Sequence, residues 1–185
     1  GAGSTNLPIE EVNDFSVRID ANEAGTLPRG SVYSSPGGGA ILITSAGRVT
    51  TTQTWHDPGV PYLITELLYV FGPDAPVLTL EPGTVLQFAS KAQMVVGSAS
   101  LPGALIAEGT AGNAVFFTGV EENIDFWRGI TFGPQALPTT RLNHTVIQYG
   151  GFRGDYAEAN VAFARDLGPV VRNSLIRNSG GCGIA

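Results

Sequence analysis

Four ionisable residues crowd one short stretch: Asp155, Glu158, Arg165 and Asp166, with His144, Arg172 and Arg177 on the segments either side. Two carboxylates at a suitable separation hydrolyse a glycosidic bond, one as acid and the other as base or nucleophile. Asp155, Glu158, Asp166 and Arg172 are therefore the candidates for catalysis on a polysaccharide. Their spacing argues against it. No two of them fall at i, i+2 on a clear strand, and charges so scattered read equally as a solvated loop.

Tyr149, Phe152, Arg153 and Tyr156 form the densest aromatic group, in a glycine-flanked insertion. Sugar rings offer apolar C–H faces and hydroxyls, which suit aromatic platforms beside polar side chains. These four are the candidate carbohydrate site, with core or turn packing as the competing reading. Trp127 reads as a structural residue.

Glu121, Glu122 and Asp125 offer hard oxygen ligands for Ca²⁺. No EF-hand spacing supports them, so a cation site would need help from other segments. His56 and His144 are the only histidines, and neither has further ligands at zinc spacing. Thr50, Thr52 and Thr54 alternate once and have no echo, so they read as an exposed strand. The single cysteine, Cys182, has no base beside it in the sequence and excludes an intrachain disulfide.

The elements that must position these groups are short strands. Apolar runs bounded by Gly, Pro, Asn or Asp place strands over 15–19, 31–33, 40–44, 49–55, 62–71, 77–80, 85–88, 93–96, 104–107, 115–118, 129–132, 142–149, 161–163 and 170–176. The one window with helical character, 154–168, is capped by Asp155 and stopped by Gly168, but its centre suits a strand equally.

Repeats decide how the strands are arranged. "LTLEPGTVLQF" at 78–88 is echoed by "LIAEGTAGNAVFF" at 105–117, with Glu81 and Glu108 27 residues apart and Phe88 and Phe117 29 apart. "HTVIQYGG" at 144–151 is echoed by "NSLIRNSGG" at 173–181, and a weaker echo relates "AVFFTG" at 114 to "GITFGP" at 129. Hairpins give no reason for successive turns to resemble each other. In a parallel coil each strand lies on its equivalent in the previous rung, so like positions select like residues. Turn positions needing positive φ select Gly or Asn, and Asn173, Asn178, Gly150 and Gly180 fit them. The expectation is an all-β, parallel β-helix over 49–185. Residues 1–48, which show no repeat, would form a β-rich N-terminal cap over its end.

The stretch from "LTLEPGTVLQF" through "FWRGITFG" to "RLNHTVIQYGG" resembles the bacterial right-handed parallel β-helix repeat proteins of pectin-lyase-like type. It is most similar to a surface and secreted group with an "EPGT" coil, a "AEGT" coil and a "W-GI-F" coil. Gln87 stands where that group often carries Lys, and Arg128 interrupts the Trp-Gly step. The resemblance implies a right-handed solenoid and a bacterial exterior; it implies little about activity.

Composition agrees. Gly (25) and Pro (12) are frequent among 185 residues, and only 14% are charged. The net charge of −6 opposes a nucleic-acid or anionic-membrane partner, and no apolar run is long enough to span a bilayer as a helix. The chain begins Gly-Ala-Gly-Ser and stops within a strand-like pattern, so it reads as a trimmed piece of a longer protein. The expected role is a non-enzymatic secreted or cell-surface module, a rigid scaffold and platform for a polysaccharide or another surface protein. A carbohydrate-active lyase or hydrolase is the alternative. The last coil offers open strand edges for end-to-end self-association.

Overall fold

The computed structural model describes residues 15–34, 39–44, 47–152, 158–164 and 170–185. The strands pair into three sheets. Sheet I holds β1 (Phe15–Ile19), β2 (Ala40–Ile43), β5 (Tyr62–Ile64), β8 (Val85–Phe88), β11 (Val115–Gly119), β14 (Thr145–Gln148) and β17 (Leu175–Arg177) in that order. Sheet II holds β3 (Gly47–Val49), β6 (Leu67–Val70), β9 (Gln93–Val96), β12 (Gly129–Phe132), β15 (Ala159–Phe163) and β18 (Cys182–Ile184). Sheet III holds β4 (Gln53–Trp55), β7 (Val77–Leu80), β10 (Ala104–Glu108), β13 (Arg141–Asn143) and β16 (Val170–Arg172). The chain visits sheets I, II and III in turn, and the neighbouring strands within each run parallel. The result is a β-solenoid of about six turns.

Stacked apolar columns hold the turns together. In sheet I, Ile41, Tyr62, Leu86, Phe117, Ile147 and Ile176 lie in successive register. Sheet II contributes Leu68, Met94, Ile130, Val161 and Ile184, and sheet III contributes Trp55, Leu80, Ala107, Leu142 and Val171. Most of these are fully buried, each contributing about 1.5–3 kcal/mol for a large side chain. Trp55 stacks on Tyr62 with ring centroids 4.8 Å apart. Burial pushes the Tyr62 phenol well above its ordinary range, and its hydroxyl donates to the His56 carbonyl (3.0 Å).

The strand ladder reaches back into the segment expected as a cap, because β1 and β2 extend sheet I and β3 extends sheet II. Residues 20–27, with a 3₁₀ turn at Ala24–Thr26, close over the first turn. Ala21, Ala24 and Leu27 are buried in the core. The Gln53 side chain accepts from Gly25 N (2.9 Å) and donates to the Ala21 carbonyl (3.1 Å), while Asn22 accepts from Thr50 N (2.7 Å). Side chains thus occupy polar groups beside the edge strand β4.

Four expected strands are each two strands with a corner between them. Residues 49–55 break at 50–52, so Thr50 and Thr52 sit in a corner and Thr54 alone lies in β4. Residues 62–71 break at Thr65-Glu66, 142–149 at His144 (φ 49°), and 170–176 at Asn173-Ser174 (Asn173 φ 48°). A single left-handed residue turns the chain at His144. Residues 31–33 are not a strand, and the centre of the 154–168 window is β15.

The Glu81/Glu108 echo is a true rung alignment, since Leu80 lies beside Ala107. The phenylalanine echo is not. Leu86 lies beside Phe117, and Phe88 beside Gly119. A side chain at Gly119 would come within 2.9 Å of Phe126, so no second phenylalanine fits there. The 114/129 echo relates β11 to β12, which stand in different sheets, so it is not a rung repeat.

Candidate functional site

Among the described residues, the candidates Glu121, Glu122, Asp125, Tyr149, Phe152 and Glu158 lie along the corner between sheets I and II, between β11 and β12 and between β14 and β15. The Trp127 indole lies flat on Phe88 (4.1 Å, 7°) and donates from Nε1 to the Gln148 carbonyl (2.8 Å). It is fully buried and structural, as its sequence context implied. Tyr149 is buried too, with φ at 65°, and its carbonyl accepts from Phe126 N (3.0 Å). A ring without an exposed face packs the turn and does not present a sugar platform. Phe152 is half-buried, and the Lys91 ammonium lies 5.2 Å from its ring centroid. Arg153 and Tyr156 lie outside the described residues, as do Asp155, Arg165 and Asp166.

The remaining candidates do not converge. Glu158 is exposed just before β15, on the corner between sheets I and II, and its carbonyl accepts from Cys182 N (2.9 Å). Arg172 ends β16, on the corner between sheets III and I. Glu121 accepts from the Asn123 amide (2.7 Å), and Glu122 is exposed. Asp125 is half-buried against the next rung, its Oδ1 lying 1.1 Å from where a Gly180 Cβ would be. Among the described residues, no group of three or more His, Cys, Asp or Glu side chains is placed to hold a metal ion.

The stacked glutamates at the corner between sheets III and I each have their own arginine. Arg29 Nη1 and Nη2 donate to the two oxygens of Glu81 (2.8 and 2.6 Å), and Arg141 pairs with Glu108. The Arg29 guanidinium, through these hydrogen bonds and its charge, holds the Glu81 carboxyl below its ordinary range. Two carboxylates neutralised in this way are fasteners between rungs, not an acid/base pair.

A different surface was not anticipated from the sequence. On the outer face of sheet I, Val85, Phe116, Val146 and Leu175 form one column. Beside it run Leu63, Gln87, Thr118, Gln148 and Arg177. Gln148 Nε2 donates to Thr118 Oγ1 (3.2 Å), and Arg177 Nε donates to Gln148 Oε1 (2.8 Å), so these three side chains are bonded into a ladder. The seven strands of this sheet carry no Asp, Glu or Lys; Arg18 and Arg177 are their only charges. Period-two alternation within each strand, combined with the correct rung offset, would have exposed both columns. The misaligned phenylalanines concealed them.

Compared with family models, curated proteins and solved structures, the chain matches none. No helix among the described residues is long and apolar enough to cross a membrane.

Proposed function

We propose that the protein is a non-enzymatic module of the pectin-lyase-like β-helix type, secreted or carried on a bacterial cell surface. In this reading the solenoid is a rigid spacer, and the outer face of sheet I is a platform for an uncharged glycan. One observation carries it: a partly exposed apolar column centred on Phe116 stands beside a polar column in which Thr118, Gln148 and Arg177 are hydrogen-bonded in series, on strands without a carboxylate. Apolar C–H faces of sugar rings fit the first column, and hydroxyls fit the second. The protein's net charge of −6 disfavours polyuronates and favours neutral chains. The "EPGT", "AEGT" and "W-GI-F" motifs support the family placement.

Titration with neutral β-glucan and xylan oligosaccharides, followed by amide chemical-shift mapping, tests the platform. Shifts should concentrate on β8, β11 and β14. Phe116→Ala should weaken binding about tenfold, as loss of one contact of about 1.4 kcal/mol would. Shifts confined to the loops at the corner between sheets I and II would move the site there. Release of reducing ends or unsaturated uronate from any polysaccharide would overturn the non-enzymatic reading.

A further inference from the structure

The strands in the middle of sheet I each turn two side chains outward: Val85 and Gln87 on β8, Phe116 and Thr118 on β11, Val146 and Gln148 on β14. Val85, Phe116 and Val146 are all partly exposed and lie in direct register. The apolar column therefore runs along the solenoid axis and not along a strand, with the rung spacing of about 4.8 Å as its period. The polar column beside it is unevenly engaged. Gln148 is buried, and its amide is bonded to Thr118 (3.2 Å). Gln87 is partly exposed, in register between Leu63 and Thr118, and its side chain makes no hydrogen bond among the described residues. A primary amide both donates and accepts, as a sugar hydroxyl does.

We propose that this face takes a β-1,4-linked chain of uncharged sugars laid along the axis, one sugar per rung, with Gln87 as the side chain that reads its hydroxyl edge. The proposal rests on sheet I being a glycan platform, and it adds the linkage, the direction and the specificity residue. Linkage geometry decides the direction. In a β-1,4 chain of equatorial sugars both bridging bonds lie near the ring plane, so the chain is a flat ribbon. Each sugar advances it by nearly one rung, about 4.8 Å. Successive apolar ring faces then meet Val85, Phe116 and Val146 in turn, while hydroxyls project from the ribbon's edge toward Gln87. Chains with α-1,4 or β-1,3 linkages curve away and keep contact with fewer rungs. A chain lying along a strand would cross only two outward side chains before leaving the sheet at a corner. Charge is read at the same place. The strands β5, β8, β11 and β14 carry no charged side chain. A uronate carboxylate would lose water against the Gln87 amide and find no cation to pair with.

Calorimetric titration with cello-oligosaccharides, from the disaccharide to the hexasaccharide, tests this, with amide chemical-shift mapping to place each ligand. Affinity should rise with every added sugar up to about four, one for each of β5, β8, β11 and β14, and then level off. Laminari- and malto-oligosaccharides of equal length should bind at least about tenfold more weakly. So should cellouronate chains, which differ from the cello series only in a carboxylate replacing the primary alcohol. Gln87→Ala should weaken binding of the tetrasaccharide about tenfold. Gln87→Lys should instead narrow the gap between cello and cellouronate chains by about tenfold or more, a change that lost packing alone would not produce. Unchanged melting curves confirm that both variants fold. Affinity that stops rising at the disaccharide overturns this proposal while the platform stands. So does equal binding of laminari- or malto-oligosaccharides on the same strands, or a folded Gln87→Ala protein that binds as the wild type does. No shift on β8, β11 and β14 with any neutral oligosaccharide overturns the platform reading and this proposal with it.

Discussion

Arg29 and Glu81 tie the segment that closes the head of the solenoid to the second turn, and their pairing makes that tie sensitive to acid. The Glu81 carboxyl is held below its ordinary value by the hydrogen bonds and charge of Arg29. A carboxyl with a depressed folded pKa stabilises the fold above its unfolded pKa, and that contribution is lost as pH falls through the folded value. Arg29 is exposed, so solvent screens the pair and the effect is small. Thermal melts of the wild type and Arg29→Ala should therefore differ slightly at neutral pH. They should converge as pH falls below the ordinary Glu pKa of about 4.3 and through the lower folded value. A difference that persists unchanged at low pH would mean Arg29 acts by packing and not by its charge. The same scale shows what glycine does here. Asn173 and Asn178 sit at left-handed turns as expected, but Gly150 and Gly180 do not; Tyr149 and Gly151 take that conformation beside Gly150. Gly180 is needed for space under Asp125, and Gly150 for space beside the buried Asn160, whose Oδ1 would be 2.6 Å from a Cβ. Asn160 accepts from Gly150 N (2.7 Å) and donates to the Arg177 carbonyl (2.7 Å), tying two rungs from inside. Close packing by the neighbouring rung leaves no mark on the local sequence, whereas a turn does.

Corners separate the elements, and they show why some of this fold was legible and some was not. Pro82-Gly83 marks its corner with two residues of restricted or left-handed backbone (Gly83 φ 87°), and the boundary between β7 and β8 was read correctly from them. His144 marks its corner with one ordinary residue, so that corner was absorbed into a longer strand; Asn173, although suited to a positive-φ turn, was left inside the strand expected over 170–176. The repeat aligned these two residues with each other, and the backbone agrees, at 49° and 48°. The sheet I face was missed for a related reason: the rung offset is 27 at Leu80/Ala107 but 31 at Leu86/Phe117, so the path from β10 into β11 is four residues longer than the path from β7 into β8, and the phenylalanine echo at 29 falls two residues out of register. A substitution at His144 tests the one-residue corner. The left-handed conformation costs an ordinary L-residue about 1–2 kcal/mol, most for a β-branched side chain, and least for Gly or Asn. His144→Val should destabilise the protein by about that amount in urea unfolding, while His144→Asn should be neutral within about 0.5 kcal/mol. Equal losses for Val and Asn would show that the imidazole itself, and not the backbone angle, holds the corner.

For the whole molecule, the ladder is one-dimensional: each rung touches only the rungs before and after it, and stability is a sum over those interfaces. Seven strands in sheet I, at about 4.8 Å per step, give a stack about 29 Å tall. Central rungs have two neighbours each. The first turn has one neighbour and the closing segment 20–27. The last described rung, β16 to β18, pairs with one neighbouring rung. Opening should therefore start at the tail and move inward, because it breaks one interface at a time there and two anywhere else. Amide hydrogen exchange should be fastest in β16, β17 and β18, slower in β13, β14 and β15, and slowest in β7 through β10. The strands β2 and β5 should be better protected than their distance from the centre alone implies, because the head is closed. Protection that is flat from head to tail would mean the rungs unfold as one cooperative unit, and the one-dimensional account would fail with it.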